Sequence, residues 1–303
     1  MPNNFIQYEL WKDCKNGCKF CFNKGQPDVN KIESLNYVLN LLQDEEDLKD
    51  YNEIGFIGGE FFDDQLKNPE VKALFYKLYD RCKELIDQGK MNKVYITTSL
   101  IFSPCDYLIP FLDYLRELGI LKYCLLCTSY DLKYRFHNKQ AKELWEANMI
   151  LLHEKYPELN LHTEMIATGF FMKAVLDGEF DIIGFCDKFH TGIDYIEPGS
   201  GFYYYDKAAC AKDLPDFFPT KETAIKFIKK TIIDDKSIRA DTFLSSDIRS
   251  DKIYNIYNGK RVIMCGRRKS NMTITLKDLD VKYDIGMLDC DYKMIDLIKQ
   301  LKD

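Results

Sequence analysis

The sequence predicts an α/β fold built on parallel strands, and three observations point to it. Over the first 200 residues, apolar runs of strand length alternate with amphipathic segments of helix length. Pro69 and Pro104 stand where helices are predicted to begin, and Gly89 and Gly119 stand just past predicted helix ends. Since helices that alternate with strands act as crossovers between parallel neighbours, a mostly parallel sheet follows.

Strands and helices alternate regularly in this part of the chain. The predicted strands share an apolar pattern bounded by turn residues, and they cover residues 5–10, 54–58, 93–99, 122–128, 159–167 and 193–197. The predicted helices are amphipathic and cover residues 31–43, 69–88, 105–118, 138–155 and 170–189. Functional sites of parallel strand–helix folds lie at the carboxyl ends of the strands, so residues there are the first candidates.

The alternation is lost from about residue 201 onward. Residues 221–233 predict a helix capped by Thr220, and residues 292–301 predict a last helix. Residues 254–257 and 260–264 predict a hairpin, because Asn258-Gly259 suits a type I′ turn. The chain is therefore expected to divide into a strand–helix core over 1–200 and a small α+β extension over 201–303 that covers the core or faces a substrate.

The charge of the chain follows the same division. Residues 1–200 carry 22 basic and 32 acidic side chains, a net charge of −10, whereas residues 201–303 carry 20 basic and 16 acidic side chains, a net charge of +4. A basic extension can mark an anionic partner, but an ordinary solvated surface is the simpler explanation. A nucleic acid is a less favoured partner, because the chain as a whole is acidic.

Composition indicates a large folded core in a reducing environment. Of the 303 residues, 46% are hydrophobic, and no apolar run is long enough for a membrane span. Met1 to Asn4 lead directly into a predicted strand, without a signal-peptide pattern. Eleven cysteines without an export signal indicate a reducing, cytoplasmic location rather than a disulfide framework.

Three cysteines follow the first predicted strand with the spacing C-x3-C-x2-C. They are Cys14, Cys18 and Cys21, in a loop whose other residues are mostly polar. Three thiolates can hold three irons of a cubane iron–sulfur cluster and leave the fourth iron open to another ligand. The polar neighbours, Lys12 and Asn16 among them, predict that this loop is not buried.

A zinc site and a set of unrelated thiols fit these cysteines less well than a cluster does. A structural zinc site needs four ligands, but the next cysteine is Cys82, without a partner at the usual spacing, and the first histidine is His137. Three unrelated thiols would normally be buried among apolar residues, which the polar loop disfavours. Both remain alternatives to an iron–sulfur cluster.

A second motif follows the second predicted strand. Gly58, Gly59 and Glu60 end a run of apolar residues, at a place where glycines allow the backbone to approach a ligand closely. An ordinary strand-ending turn would show the same residues. The order of the two motifs, with one helix-length segment between them, makes the pair more specific than either alone.

Together the two motifs resemble those of the radical S-adenosylmethionine (radical SAM) enzymes. The resemblance covers about two thirds of the chain and implies a partial (β/α)6 TIM-like barrel. It further implies that Cys14, Cys18 and Cys21 hold an oxygen-sensitive [4Fe–4S] cluster whose open iron binds SAM. In that family the reduced cluster cleaves SAM to a 5′-deoxyadenosyl radical, which abstracts hydrogen from a substrate.

The resemblance also assigns SAM contacts to further residues. Phe20 would lie beside the adenine, and the backbone and acid of the Gly58-Gly59-Glu60 motif would hold the SAM amino group. Further SAM contacts are predicted at the ends of later strands, by Thr98, Ser99, Ser129, Arg135 and Ile196. Thr98 and Ser99 could equally be ordinary strand residues, and Arg135 could equally form a surface ion pair.

The remaining candidates are less specific. Glu164 on the fifth predicted strand could face the interior of a barrel, whereas the histidines lack metal-ligand spacing. Cys265 and Cys290 form no tight group with other cysteines, so no auxiliary cluster is expected.

The resemblance implies an external one-electron donor such as flavodoxin or ferredoxin, and no membrane partner. The substrate stays open between a nucleotide or nucleic acid, a peptide and a small metabolite. The alternative function is a non-catalytic redox sensor or SAM-binding scaffold.

Overall fold

The structure is a computed structural model that describes most of the first 196 residues and several later segments. The described residues are 5–19, 21, 29–43, 48–49, 51–196, 216–235, 237, 253–257, 260–264, 272–275, 282–285 and 294–302.

The centre of the molecule is a six-stranded sheet in which every neighbouring pair of strands runs parallel. The order of the strands in the sheet equals their order in the chain. The strands are β1 (Phe5–Glu9), β2 (Glu53–Ile57), β3 (Lys93–Thr97), β4 (Cys124–Tyr130), β5 (Asn160–Ile166) and β6 (Gly192–Ile196). The predicted α/β class with a parallel sheet is thereby confirmed.

Helices connect consecutive strands of this sheet. They are α1 (Lys31–Gln43), α2 (Pro69–Asp87), α3 (Leu108–Glu117), α4 (Lys139–Lys155), α5 (Gly169–Leu176) and α6 (Ile182–Phe189). Asn68 and Asn138 cap α2 and α4, since each side chain accepts hydrogen bonds from the first turn of its helix. Pro69 begins α2, and Gly89 and Gly119 follow helix ends with φ of +69° and +80°, as the sequence predicts.

Several predicted boundaries are wrong, among them the end of β3, which lies at Thr97 rather than at residue 99. Three of the differences have a local reason. The segment 170–189 forms two helices, because Gly178 has φ of +76° and Asp181 caps a new helix through Gly184 N. Strand β4 begins two residues later than expected, since Leu121–Tyr123 form a 3₁₀ turn. Helix α3 begins at Leu108 rather than directly after Pro104, although Pro104 O accepts a hydrogen bond from Ile109 N in the preceding turn.

One face of the sheet packs against the helices and forms the hydrophobic core. Alternate strand residues point to this face, for example Ile6 and Tyr8 of β1 and Phe56 of β2, all of them buried. Phe75 of α2 contacts the rings of Phe61 and Phe62 in the loop after β2, and its centroid lies 5.3 Å from that of Phe111 in α3. Burial of these aromatic side chains fixes the helices on the sheet.

The opposite face of the sheet is called the polar face below. It carries the intervening residues, among them Glu9, Glu53, Tyr95, Cys127 and Glu164. Neighbours in register on parallel strands share a face, which assigns these residues to one side. The polar face therefore carries carboxylates, whereas the helix-covered face is mostly apolar.

The amino-terminal end of the polar face is closed by side chains. The Phe5 and Tyr95 rings meet at 4.7 Å between centroids, and a Cβ on Gly55 would lie 2.6 Å from the Phe5 ring. The Tyr95 hydroxyl donates to Glu53 Oε2 at 2.7 Å, and Lys93 Nζ lies 3.5 Å from Glu53 Oε1. These contacts fill the space below the middle of the sheet.

The described segments after residue 215 contain two helices and two hairpins. Helix α7 (Lys221–Ile228) continues into a π-helical stretch (Lys229–Asp234), and α8 (Met294–Lys302) is the last helix. One hairpin consists of β7 (Ile253–Tyr257) and β8 (Lys260–Met264), and the other of β9 (Met272–Thr275) and β10 (Lys282–Ile285). The β7–β8 hairpin and the Thr220 cap were both predicted, whereas β9 and β10 were not. Asn258-Gly259 lies outside the described residues. The boundary near residue 200 stays a prediction.

The later segments contact the strand–helix core through the chain before α7, through α7 and through β7. Helix α7 packs against α5, where the centroids of the Phe171 and Phe227 rings lie 5.7 Å apart. Gly169 N and Phe170 N donate to Phe217 O and Asp216 O, so the chain before α7 is bonded to the start of α5. Strand β7 lies alongside β1.

None of the helices in the described part of the chain is sufficiently long and apolar to span a bilayer.

Candidate functional site

The cysteine loop leaves β1 and is only partly buried. Cys14 is exposed, Cys21 is intermediate and Cys18 is buried. The expectation that polar neighbours keep the whole loop at the surface is wrong, because Lys12 and Asn16 are also buried. The loop backbone folds inward and carries these polar side chains with it.

Main-chain hydrogen bonds attach the cysteine loop to the Gly58-Gly59-Glu60 motif. Gly59 N donates to Trp11 O at 2.7 Å, and Glu60 N donates to Asp13 O at 2.9 Å. The indole Nε1 of the buried Trp11 donates to Glu60 O at 3.2 Å. These three bonds, called the loop clamp below, extend the pairing of β1 and β2 into the loop, one residue before Cys14.

The two glycines are required for this close approach. A Cβ on Gly58 would lie 2.2 Å from Trp11 O, and a Cβ on Gly59 would lie 1.8 Å from Asp13 O. Both contacts are with main-chain atoms, which cannot rotate away as a side chain can. The glycines therefore make room for the loop that bears the cysteines.

The three cysteines lie within electrostatic reach of one another. Desolvation raises the pKa of the Cys14 thiol to about 12, and the charges of Glu60, Cys18 and Cys21 act in the same direction. The residue is exposed overall, but its sulfur lies among neighbouring atoms and accepts a hydrogen bond from Asn16 Nδ2 at 3.6 Å. Among the described residues, no three His, Cys, Asp or Glu side chains already stand together in a metal-binding arrangement.

The Glu60 carboxylate joins the ends of β2 and β3. It is 1% exposed and accepts hydrogen bonds from Thr98 Oγ1 at 2.9 Å, Ser99 N at 2.5 Å and Phe62 N at 2.9 Å. Burial raises its pKa, and these hydrogen bonds oppose the increase. The carboxylate and Thr98, both predicted to contact SAM, are thus already engaged with each other.

The next residue after this network has a strained backbone. Leu100 is fully buried and has φ of +56°, a region that residues with a Cβ rarely adopt. Asn148 of α4 fixes the turn, because its Nδ2 donates to Leu100 O and to Phe102 O at 2.9 Å each. Such strain persists only where surrounding contacts hold it, and here it orients Ser99.

Arg135 joins the ends of β3 and β4. Its guanidinium donates to Ser129 Oγ and, at 3.1 Å, to Ser99 O. Arg135 is 6% exposed, and its Nε has no hydrogen-bond partner among the described residues. The expectation of a surface ion pair is therefore wrong: Arg135 is a buried cation with a remaining donor.

Asp131 shapes the turn that places Arg135. Its Oδ1 accepts hydrogen bonds from Lys133 N at 2.8 Å and from Tyr134 N. Burial raises the pKa of Asp131, and the two backbone donors and the charge of Arg135 oppose that increase. Tyr134 O in turn accepts from Lys19 N at 3.0 Å, so the same turn also contacts the cysteine loop.

The loops after β1, β2, β3 and β4 thus form one hydrogen-bonded network. Ten of the predicted site residues lie in these loops, each in the network or next to a residue of it. They are Cys14, Cys18, Cys21, Gly58, Gly59, Glu60, Thr98, Ser99, Ser129 and Arg135. Phe20 lies outside the described residues. Ile196 ends β6, and its side chain is outside the described part of the structure.

A buried acid and a buried base lie beside the cysteine loop. Glu9, the last residue of β1, is 4% exposed, and Lys12 is 5% exposed. Burial raises the pKa of Glu9 to about 7, and the charge of Lys12 opposes this increase. Among the described residues, Glu9 Oε1 has no hydrogen-bond partner.

Sequence reasoning missed four residues of this site: Glu9, Trp11, Lys12 and Asn148. Asp131 belongs to a Ser-x-Asp pattern after β4 that resembles the same family, but the sequence assigned it no role of its own. Glu9 lies near the end of the predicted strand 5–10, and that position was a usable signal. Nothing local marks Trp11 or Asn148, because both act through partners more than 40 residues away.

No protein-family model matches the sequence, and no curated protein is significantly similar to it. The interpretation of the site therefore depends on its residues and their geometry.

Gly59→Ala is expected to displace the cysteine loop, because the added Cβ would overlap Asp13 O, and therefore to prevent assembly of the iron–sulfur cluster that the motif resemblance implies. Iron and sulfide contents after anaerobic reconstitution measure the effect. Gly119→Ala is the matched control, since that glycine has open space around it and only its φ of +80° is unfavourable. The control is expected to lose about 1 kcal/mol of stability and to keep its iron. A Gly59→Ala protein with full iron content would contradict the role of the loop clamp.

Glu9→Gln is expected to stabilise the protein above about pH 7. The folded pKa of about 7 exceeds the ordinary value of 4.5, so the folded state holds a proton that the unfolded state has released. Stability is therefore unaffected by Glu9 below 4.5 and falls as pH rises to about 7. The resulting penalty of up to about 3 kcal/mol is absent in the glutamine variant.

Urea unfolding near pH 5 and near pH 8 measures this difference. Glu53→Gln serves as the control, because Glu53 lies on the same face but is bonded to Tyr95. That variant is expected to lose stability at both pH values. Equal free energies of unfolding for wild type and Glu9→Gln at the higher pH would show that the Glu9 carboxylate does not destabilise the folded protein.

Proposed function

We propose that this protein is a radical SAM enzyme. The proposal is carried by the loop clamp, which brings two motifs far apart in the sequence into main-chain contact at the carboxyl ends of adjacent strands. Loops after neighbouring parallel strands lie close together in any sheet, but here main-chain hydrogen bonds join the cysteine loop directly to the glycine turn. The two glycines would also have no reason to be glycine without the loop against them.

The sheet topology supports the partial (β/α)6 barrel that the proposal requires. Crossovers between parallel strands are right-handed in nearly all proteins. When strand order equals chain order, right-handed crossovers put all connecting helices on one face. The other face, which is the polar face, is then free to curve into the lining of a barrel.

The donor set is compatible with the cluster. Cys14, Cys18 and Cys21 lie on one short loop, and the Cys21 N–H bond to Cys18 O at 3.1 Å turns the chain between the last two. The cluster irons would stabilise the thiolates, whose formation is otherwise opposed by burial of the Cys14 sulfur. When bound and reduced, such a cluster supplies the electron that cleaves SAM to the 5′-deoxyadenosyl radical.

The chain's own residues would bind and orient SAM. The main-chain carbonyls of Gly58 and Gly59 are proposed to accept the SAM amino group, because the Glu60 carboxylate is already bonded to Thr98 and Ser99. Glu60 and Thr98 then position the turn that carries those carbonyls. This changes their expected role from direct contact to support of the SAM site.

Arg135 is proposed to bind the SAM carboxylate. It is buried at the ends of β3 and β4, and its Nε is a donor without a partner among the described residues. A guanidinium binds a carboxylate through two parallel hydrogen bonds. Ser129, which accepts from Arg135, would fix the orientation of the guanidinium. Phe20 and Ile196 keep their proposed roles beside the adenine.

A reactive radical requires a site that excludes water. The loops after the first four strands cover the carboxyl end of the sheet through buried Trp11, Glu60, Thr98 and Arg135. Substrate hydrogen would be abstracted beneath them, at the polar face. An external one-electron donor such as flavodoxin or ferredoxin would reduce the protein, with Cys14 on the exposed side of the loop. A cytoplasmic location is proposed for the same oxygen-sensitive chemistry.

The reconstituted protein is expected to convert SAM to 5′-deoxyadenosine after reduction with dithionite under anaerobic conditions. The triple variant Cys14→Ala/Cys18→Ala/Cys21→Ala is the control and is expected to form none, since it lacks every proposed iron ligand. Chromatographic detection of the nucleoside measures the reaction.

Two further results of this assay have different meanings. A reducible cluster that binds SAM without cleaving it, even with added substrate candidates, would favour the redox sensor or SAM-binding scaffold. Zinc in place of iron and sulfide would overturn the enzyme proposal.

Arg135→Lys is expected to raise the Kd for SAM about tenfold without loss of iron, because an ammonium cannot form the two parallel bonds. Anaerobic calorimetry with the reconstituted protein measures the affinity. Arg116→Lys is the matched control, since Arg116 is a partly exposed arginine of α3 paired with Glu158. An unchanged SAM affinity in Arg135→Lys would remove Arg135 from the binding site.

A further inference from the structure

The unpartnered carboxylate of Glu9 requires a physical reason. Buried polar groups are almost always hydrogen-bonded, because leaving one unpaired costs stability. Glu9 is 4% exposed, and its Oε1 has no hydrogen-bond partner in the described part of the chain. A group kept at such a cost commonly serves a ligand.

Glu9 lies on the polar face, immediately below the cysteine loop. Its strand neighbours Ile6 and Tyr8 belong to the helix-covered core, whereas Glu9 is in register with Ile57. Along the same layer of the sheet, Cys127 of β4 is in register with His162 of β5. Glu9 therefore lies between the network of loops at the carboxyl ends of the strands and the closed, amino-terminal end of the polar face.

The closed end separates Glu9 from the other buried acid of this face. Glu53 is bonded to Tyr95 and lies near Lys93, and the Phe5 and Tyr95 rings fill the space beside it. Glu53 is thus satisfied by the protein, whereas Glu9 Oε1 is not. The two acids form a natural pair for comparison.

The charge around Glu9 favours a cation over an anion. Lys12 is a nearby buried base, and Arg135 is directed to Ser129 and Ser99 O. The next layer of the polar face, toward the carboxyl ends, places Glu164 of β5 in register with Asp194 of β6. Among the side chains that the structure describes at this end, acids outnumber bases: Glu9, Glu60, Asp131 and Glu164 against Lys12 and Arg135.

We propose that the polar face binds a substrate group with a cationic N–H donor, an ammonium or a guanidinium, which donates its hydrogen to Glu9 Oε1. Apart from Ile196 at the end of β6, the residues assigned to the cluster and SAM lie in the loops after the first four strands, so most of β5 and β6 remains for the body of the substrate. Glu164 of β5 adds negative charge on that side. The inference deepens the proposed radical SAM function and rests on it only for the reaction, not for the binding.

The test uses N-methylguanidinium and its uncharged analogue N-methylurea, which has nearly the same shape. Both are titrated into the anaerobically reconstituted full-length protein, and binding is followed by ligand-observed NMR. Wild type is expected to bind N-methylguanidinium in the millimolar range and about tenfold more tightly than N-methylurea, since a charged hydrogen bond is the stronger one. Equal affinity for the two compounds would overturn the proposal without any variant.

Glu9→Gln and Glu53→Gln assign the effect to one acid. Glu9→Gln keeps the side-chain shape and is expected to bind both compounds equally, whereas Glu53→Gln keeps the preference for the cation. Preference retained in Glu9→Gln would contradict the proposal. SAM cleavage is assayed on the same samples. Preference for the cation without formation of 5′-deoxyadenosine would support the binding site and overturn the radical SAM function. Formation of 5′-deoxyadenosine without preference for the cation would support the radical SAM function and overturn the binding site.

Discussion

The loop clamp is the contact on which the rest of the candidate site depends. Two main-chain N–H groups of the β2 turn donate to the β1 loop, and an indole returns a third bond in the opposite direction. Main-chain bonds of this kind hold their geometry because neither partner has rotatable side-chain bonds to lose. Side chains then build outward from the clamp: Glu60 reaches β3, and Arg135 joins β3 to β4.

This arrangement divides the polar groups of the site by their role. Glu60 and Thr98 bond to each other, Glu60 also accepts from neighbouring backbone N–H groups, and Ser129 accepts from Arg135, so these three side chains define shape. Arg135 and Glu9 each retain an atom without a hydrogen-bond partner among the described residues, which gives them capacity for a ligand. One is a cation at the ends of the middle strands, and the other is an acid at the end of β1. A molecule between them would meet opposite charges at opposite ends.

Much of the fold could be predicted from the sequence, because apolar periodicity reports directly on strands and helices. The break at Gly178 was missed, although Asp177-Gly178 is a turn dipeptide and Asp181 suits a helix cap. Membership of the site was predictable where a motif marks it, as for Cys14 and Gly59. The roles were not, because the partners of Glu60 and Arg135 are set by packing between distant strands. The burial of Lys12 and Glu9 depends on the same packing, which no local pattern encodes.

Strand order that equals chain order also affects how the protein is made. Each strand that leaves the ribosome can pair with the strand synthesised just before it, so no strand waits for a distant partner. The cysteine loop and the turn that clamps it lie within the first 60 residues, and the turn that contacts Lys19 follows by Tyr134. The loops proposed to hold the cluster and most of the SAM contacts can therefore form on a nascent chain before β5 and β6 exist. Loading of the proposed iron–sulfur cluster and completion of the polar face become separable in time.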